Sequence, residues 1–262
     1  MNKKDTIGIF DSGIGGVSIW EEIHQLLPNE STIYLADSKN APYGNKSQDE
    51  IISLSIKNIE KLIELGAKII VVACNTATTN AIETLRSKFS LPIIGVEPAI
   101  KPAILQTKTN NIGVLATRGT LSSTLFSETT SQFSNEVEIT EVIGEGLVTL
   151  IEEGSLNSLK LKTLLKKYLE PMLSKNIDYL VLGCSHYPYL IPLLKELLPQ
   201  NIKIIHSGEA VAKQTKYVLE KNHLLSEKKE NTFLFYSNFQ IETLKNILAD
   251  YRNKVIISKL DF

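Results

Sequence analysis

The two cysteines of this 262-residue chain, Cys74 and Cys184, end the same local pattern. Cys74 follows four aliphatic residues and an alanine, and Cys184 follows the run YLVLG. Polar residues and a helix-compatible segment come after each cysteine. A short continuous apolar run of this kind predicts a buried strand of a parallel sheet. We therefore expect both thiols at the carboxyl ends of strands, where open α/β sheets bind ligands.

Two thiols in matched settings suit proton transfer at one carbon. A thiol titrates near pH ~8.5, and lower at a helix N-terminus, so both of its protonation states are accessible to catalysis. A thiolate on one side of a carbon and a thiol on the other could remove a proton from one face and return one to the opposite face. That chemistry is a two-base racemisation or epimerisation.

Other interpretations of the cysteines stay open. A metal site needs three or four ligands, and neither cysteine has CxxC or paired-histidine spacing, so no metal is expected. A nucleophile formed by Cys184 with His186 would leave Cys74 without a role. Two inert core cysteines are also possible, because buried cysteine packs as a small hydrophobe. The matched placement of the two favours a shared site.

A glycine-rich loop follows the first predicted strand, Ile7–Phe10, and precedes a helix over Val17–Leu27. A strand, glycine loop and helix in this order bring backbone amides close to an anionic ligand. The glycines, Gly13, Gly15 and Gly16, do not form GxGxxG, so the signal for a nucleotide is weak. An ordinary βα turn is the alternative.

Strands and helices alternate along the whole chain, which predicts an α/β fold with largely parallel sheets flanked by helices. The pattern restarts near residue 100 and indicates two similar halves. A capping box of Ser47 and Glu50 predicts a helix start. One helix is expected from the loop at Thr120 to about Phe133.

Composition excludes several classes of protein. The net charge is −1, so no basic surface argues for nucleic acid. No apolar run is long enough for a bilayer, and the N-terminal one is too short for a signal peptide. These features predict a cytoplasmic protein with no membrane or nucleic-acid partner, in which the two cysteines are thiols.

Five motifs occur in order at Phe10–Gly16, Ala41–Gly44, Ala73–Thr78, Ala116–Thr120 and Gly183–Pro188, reading FDSGIGG, APYG, ACNTAT, ATRGT and GCSHYP. With these motifs the sequence resembles the glutamate racemases, a cofactor-independent family that supplies D-glutamate for bacterial cell walls. The resemblance runs from Thr6 to about Val218. The last motif departs from the usual GCTHYP by a serine at Ser185, which retains the hydroxyl.

The resemblance implies an active site in the cleft between two similar α/β domains. The first domain would comprise 1–97 with 209–262 and carry Cys74, and the second would comprise 98–208 and carry Cys184. The implied substrate is glutamate, the implied cofactor none, and the implied assembly a homodimer.

Site roles also follow from the resemblance. The catalytic residues would be Cys74, Cys184, Asp11, His186 and Glu152, with Glu153 as the one-residue alternative to Glu152. The substrate-binding residues would be Asp11, Ser12, Tyr43, Gly44, Asn75, Thr76, Thr117, Thr120, Ser185 and His186. Asp37 would be an auxiliary acid near the first cysteine.

Competing functions remain at this point. A racemase for aspartate or another acidic amino acid, or a hydantoin racemase, would share the two-cysteine logic and differ in its pocket. A binding protein for an acidic amino acid would carry out no proton exchange. A thiol-dependent amidase with Cys184 and His186 would release ammonia without racemisation.

Overall fold

The computed structural model describes residues 6–133, 136–226 and 231–262. In these ranges ten strands form two sheets, and every strand pairing is parallel. This confirms the α/β class with parallel sheets that the alternating pattern predicts. None of the helices in the described part of the chain is both long and apolar enough to cross a bilayer.

The first sheet has six strands in the order β10-β9-β2-β1-β3-β4. They are β1 (Thr6–Asp11), β2 (Ser31–Ala36), β3 (Ala67–Val72), β4 (Ile93–Gly95), β9 (Phe233–Ser237) and β10 (Val255–Lys259). β1 and β3 are almost fully and fully buried, as their apolar runs predict, and lie side by side as interior strands of the sheet. Their carboxyl ends therefore bring Asp11 and Cys74 to one place.

The second sheet has four strands in the order β6-β5-β7-β8. They are β5 (Asn111–Ala116), β6 (Glu138–Ile143), β7 (Tyr179–Gly183) and β8 (Lys203–Ile205). Ala116 pairs with Gly183, so the residues that follow them, Thr117 and Cys184, leave the sheet at the same edge. Because β9 and β10 return to the first sheet after β8, that sheet draws on both ends of the chain. The domain bounds stay a prediction, which this strand membership supports.

Eleven α-helices connect the strands in the described ranges. They are α1 (Val17–Leu26), α2 (Gln48–Glu64), α3 (Asn75–Lys88), α4 (Ile100–Gln106), α5 (Arg118–Leu121), α6 (Thr124–Ser131), α7 (Leu147–Glu152), α8 (Leu159–Ser174), α9 (Ile191–Leu197), α10 (Gly208–Lys221) and α11 (Glu242–Ile247). The predicted capping box at α2 is confirmed, with both of its hydrogen bonds formed.

The single helix expected up to Phe133 is wrong, because α5 and α6 are separate. Ser123 accepts a hydrogen bond from the Phe126 amide and so caps a new helix. One hydrophobic cluster contains buried side chains from both halves, such as Ile14 and Leu147. This shared core holds the edges of the two sheets that carry the cysteines close to each other.

Candidate active site

Cys74 lies at the junction of β3 and α3 and is only 4 % exposed. Its sulfur accepts a hydrogen bond from the Ala77 amide at 3.4 Å, so the thiol caps α3. Ser12 Oγ lies 3.7 Å from the same sulfur. Burial and the nearby charge of Asp11 raise the pKa of Cys74 well above its usual value, although both hydrogen bonds oppose the shift. At rest Cys74 is therefore a thiol.

Cys184 follows β7 and is 6 % exposed. Its sulfur lies 3.8 Å from Nδ1 of His186, which is itself buried. The negative charge of Cys184 is also one of the causes that raise the pKa of Cys74, after burial and Asp11. Cys184 therefore acts electrostatically on Cys74.

His186 connects Cys184 to a carboxylate. Its Nε2 lies 2.6 Å from Oε1 of Glu152. Burial lowers the pKa of His186, but the hydrogen bonds to Cys184 and Glu152 and the charge of Asp11 outweigh it, and the net pKa lies well above the usual value. The imidazole can therefore hold a proton beside the Cys184 sulfur.

Asp11 is fully buried. Its Oδ2 accepts hydrogen bonds from the amides of Gly16 at 3.0 Å and Gly13 at 3.3 Å, and its Oδ1 accepts one from Ser185 Oγ at 3.1 Å. Burial raises the pKa of Asp11, and the charge of His186 opposes that shift. The carboxylate thereby joins the first sheet to the segment that carries Cys184.

The glycine loop encloses side chains of this chain. Its amides donate to Asp11 and, through Ile14 N at 2.7 Å, to Glu152 Oε1. A Cβ on Gly13 would lie 1.9 Å from Glu152 Oε1, and one on Gly15 would lie 2.2 Å from His186 Nδ1. A side chain at Gly15 would therefore collide with a rigid buried ring, and one at Gly13 would force the Glu152 carboxylate to move.

The structure places Glu152 in the site and Glu153 outside it. The Glu152 carboxylate contacts His186, the Ile14 amide and, at 3.2 Å, Ser38 Oγ. Glu153 is exposed one residue later on the helix. The two positions differ by about 100° around a helix, so only one of the pair can face His186.

Three threonine hydroxyls from both halves converge. The hydroxyl oxygen of Thr76, at the start of α3, lies 2.7 Å from that of Thr117 and 3.3 Å from that of Thr120. Thr117 and Thr120 are 3.0 Å apart at the start of α5. Gly44 packs so closely that a Cβ there would lie 2.9 Å from Thr117. Hydroxyls and helix starts arranged in this way suit a carboxylate.

Tyr43 and Asn75 are buried with their polar groups paired inside the protein. The Tyr43 hydroxyl donates to Asp37 at 2.5 Å, and Asn75 Nδ2 donates to the Val96 carbonyl at 3.1 Å. The Asp37 carboxylate also accepts hydrogen bonds from three asparagines, Asn40, Asn58 and Asn238. Asp37 therefore anchors the loop that carries Tyr43 and Gly44.

Sequence reasoning missed Ser38, Asn238 and the Ile14 amide as members of these networks. Asn238 comes directly after β9, so the rule that polar residues at strand ends gather at one edge could have found it. Ser38 follows Asp37 in the same way after β2. Nothing local marks the Ile14 amide. In the described ranges no group of three or more histidine, cysteine or carboxylate side chains is arranged to hold a metal.

Comparisons with known proteins show which family the chain resembles. Residues 7–215 match the Asp/Glu/hydantoin racemase family. A glutamate racemase of Ectopseudomonas mendocina strain ymp is 43% identical over 250 residues, which cover 95% of each chain.

Solved structures give the same result. A glutamate racemase isoform of Bacillus anthracis superposes with a TM-score of 0.88 at 29% identity, covering 100% of this chain and 99% of that one. The Escherichia coli glutamate racemase, solved with L-glutamate and the activator UDP-MurNAc-Ala, has a TM-score of 0.87 at 33% identity and covers 98% of both chains. Sequence and structure together show that the chain belongs to the Asp/Glu/hydantoin racemase family, among the glutamate racemases, and is an isomerase.

Proposed function

We propose that this enzyme interconverts L- and D-glutamate by two-base proton transfer through Cys74 and Cys184, and so supplies D-glutamate for peptidoglycan. The observation that carries the proposal is the pair of buried thiols just beyond the carboxyl ends of β3 and β7. Each thiol has its own polar partners. Cys74 has Ser12 and the start of α3, and Cys184 has His186.

The two thiols would begin a turnover in different protonation states. His186, with its raised pKa, takes the proton of Cys184 and leaves a thiolate, whereas burial keeps Cys74 as a thiol. The Cys184 thiolate removes the α-proton from one face of the substrate, and the Cys74 thiol gives a proton to the other face. The enzyme is left with a Cys74 thiolate and a Cys184 thiol, the form that accepts the opposite enantiomer.

The charge that develops on the substrate needs stabilisation, since the resemblance implies no cofactor to accept it. The hydroxyl cluster of Thr76, Thr117 and Thr120 supplies donors, together with the starts of α3 and α5. Such donors act strongly because they are fixed in place and shielded from water. Both thiols are almost fully buried, so substrate entry requires the two halves to separate and close again.

Glutamate is favoured as the substrate because the similar sequences and the similar solved structures are both those of glutamate racemases. The Escherichia coli relative was solved with L-glutamate. The proposal includes the two domains at 1–97 with 209–262 and at 98–208 and the homodimer that the resemblance implies. It also includes the cytoplasmic location that the composition predicts. Light scattering on the purified protein tests the dimer.

The test of function is racemisation followed by circular dichroism, starting from L-glutamate and separately from D-glutamate, without added cofactor. We expect both enantiomers to approach the same racemic mixture, and we expect Cys74→Ala and Cys184→Ala to abolish the change. Turnover of aspartate alone would change the substrate and keep the mechanism. Binding without turnover, or ammonia release from an amide, would overturn the proposal.

A further inference from the structure

Two hydroxyl side chains from distant parts of the sequence hold Glu152. Ser38 Oγ donates to Glu152 Oε2 at 3.2 Å. Thr243 Oγ1 donates to the backbone carbonyl of Glu152 at 2.9 Å. The Ser38 bond holds Oε2, the carboxylate oxygen that the Ile14 amide and His186 leave free. The Thr243 bond holds the peptide that carries the side chain.

Both hydroxyls belong to connections of the first sheet. Ser38 begins the short 3-10 helix Ser38–Asn40 that follows β2, and Thr243 lies in α11 between β9 and β10. Glu152 is the last residue of α7, which lies between strands of the second sheet. The two bonds therefore attach the end of α7 to the opposite half of the protein.

α7 needs such support because it is short. It has six residues, and its N-cap, Gly146, provides no side-chain hydrogen bond. Isolated helices of this length are unstable, so most of the order of such a helix comes from its tertiary contacts. The carbonyls of a last helical turn also lack partners within the helix, and Thr243 satisfies one of them.

Water can compete for the Glu152 carboxylate. The side chain is 17% exposed, whereas His186, its partner, is 1% exposed. Glu152 lines a cavity of 350 Å³ together with Ser38, Thr149 and Thr243. A carboxylate beside such a cavity can turn toward solvent unless neighbouring donors hold it.

From these contacts we infer that Ser38 and Thr243 are positioning residues that hold Glu152 on His186, and through His186 support the reaction at Cys184. The inference rests on the proposed function for its catalytic consequence. Its structural part, the orientation of Glu152 against His186, can be measured without turnover.

The test compares Ser38→Ala and Thr243→Val with the conservative variants Ser38→Thr and Thr243→Ser, which keep the hydroxyls. Thr149→Val is the matched control, because Thr149 lines the same cavity with an exposed side chain. One readout is the NMR titration of His186, assigned with His186→Gln. The other is kcat and KM for glutamate in both directions.

We expect Ser38→Ala and Thr243→Val to lower the pH at which His186 titrates, because the Glu152 hydrogen bond raises its pKa. Loss of one hydrogen bond should lower kcat by about 10-fold with little change in KM. Ser38→Thr and Thr243→Ser should restore both properties, and Thr149→Val should change neither.

An unchanged His186 titration in both Ser38→Ala and Thr243→Val would overturn the inference. A loss of kcat that the conservative variants do not restore would also overturn it, because the effect would then come from packing. If the wild-type protein is inactive but Ser38→Ala and Thr243→Val still lower the pH at which His186 titrates, the proposed function is overturned and the positioning of Glu152 is not.

Discussion

The buried carboxylate of Asp11 accepts a hydrogen bond from the hydroxyl of Ser185 across the two halves of the protein, at 3.1 Å. Asp11 ends the strand beside the one that leads to Cys74, and Ser185 is the neighbour of Cys184 in sequence. One carboxylate therefore affects both thiols. Burial and then the charge of Asp11 raise the pKa of Cys74. For His186, burial lowers the pKa, and the charge of Asp11 acts with the hydrogen bonds to Cys184 and Glu152 to raise it.

Replacing Asp11 with asparagine should make the Cys74 thiol more acidic. The amide retains the shape but removes a negative charge that disfavours the thiolate, so the pKa of Cys74 should fall. Ultraviolet absorbance of the thiolate, measured during a pH titration in a Cys184→Ala background, checks the direction. Asp49→Asn, at an exposed position in α2, is the control. A Cys74 titration that stays in place or moves to higher pH would contradict the prediction.

Gly15→Ala should reduce activity by about 100-fold, because a displacement of about 1 Å at a catalytic group has an effect of that order. The added Cβ would lie 2.2 Å from Nδ1 of His186, whose ring is rigid and buried. Steady-state kinetics and thermal melting measure the effect. The double variant Gly15→Ala with His186→Ala makes room for the methyl group and should recover melting temperature, although not activity. Wild-type kinetics in Gly15→Ala would show that the ring is not fixed there.

Tyr43→Phe should lower the free energy of unfolding by about 1–3 kcal/mol, because it leaves a buried carboxylate with one donor fewer. The lost bond is the one of 2.5 Å from the Tyr43 hydroxyl to Asp37. Tyr34→Phe is the comparison, since the Tyr34 hydroxyl donates to the neutral carbonyl of Gly13 at 2.8 Å. Urea unfolding should show the smaller loss for Tyr34→Phe, and the reverse order would contradict the prediction.

Stability should depend on pH through His186. Its pKa is raised in the folded protein, so the protonated form contributes stability that is fully present below the ordinary value of 6.5 and is lost as the pH rises through the folded-state pKa. Unfolding free energies of wild type and His186→Gln, measured across this range, should differ by more at low pH than at high pH. A difference that grows with pH would contradict the raised pKa of His186.

Much of the site could be predicted from the sequence because many of its residues lie at or just after the ends of short apolar strands. Cys74 and Cys184 both follow such strands, and parallel sheets place strand ends together. The sequence motifs also located Thr76 and Thr117, which the structure brings together from different sheets.

Contacts between segments far apart in sequence could not be predicted in this way. The bonds from Ile14 and Ser38 to Glu152 join residues that are 138 and 114 positions apart. No local pattern encodes them, because they depend on how the two sheets are packed. The sequence motifs favoured Glu152 over Glu153 without a local reason to separate them, since the distinction depends on how α7 is rotated relative to His186.

Racemisation through Cys74 and Cys184 requires two separate proton carriers, and deuterium labelling at early times tests this requirement directly. The enzyme is incubated in deuterium oxide with L-glutamate, and separately with D-glutamate, and both enantiomers are separated and analysed by mass spectrometry before much product forms. Two carriers predict that the product enantiomer carries solvent deuterium at the α-carbon while the remaining substrate stays unlabelled, in both directions. Equal labelling of substrate and product, or product that retains the original proton, would contradict proton transfer through Cys74 and Cys184.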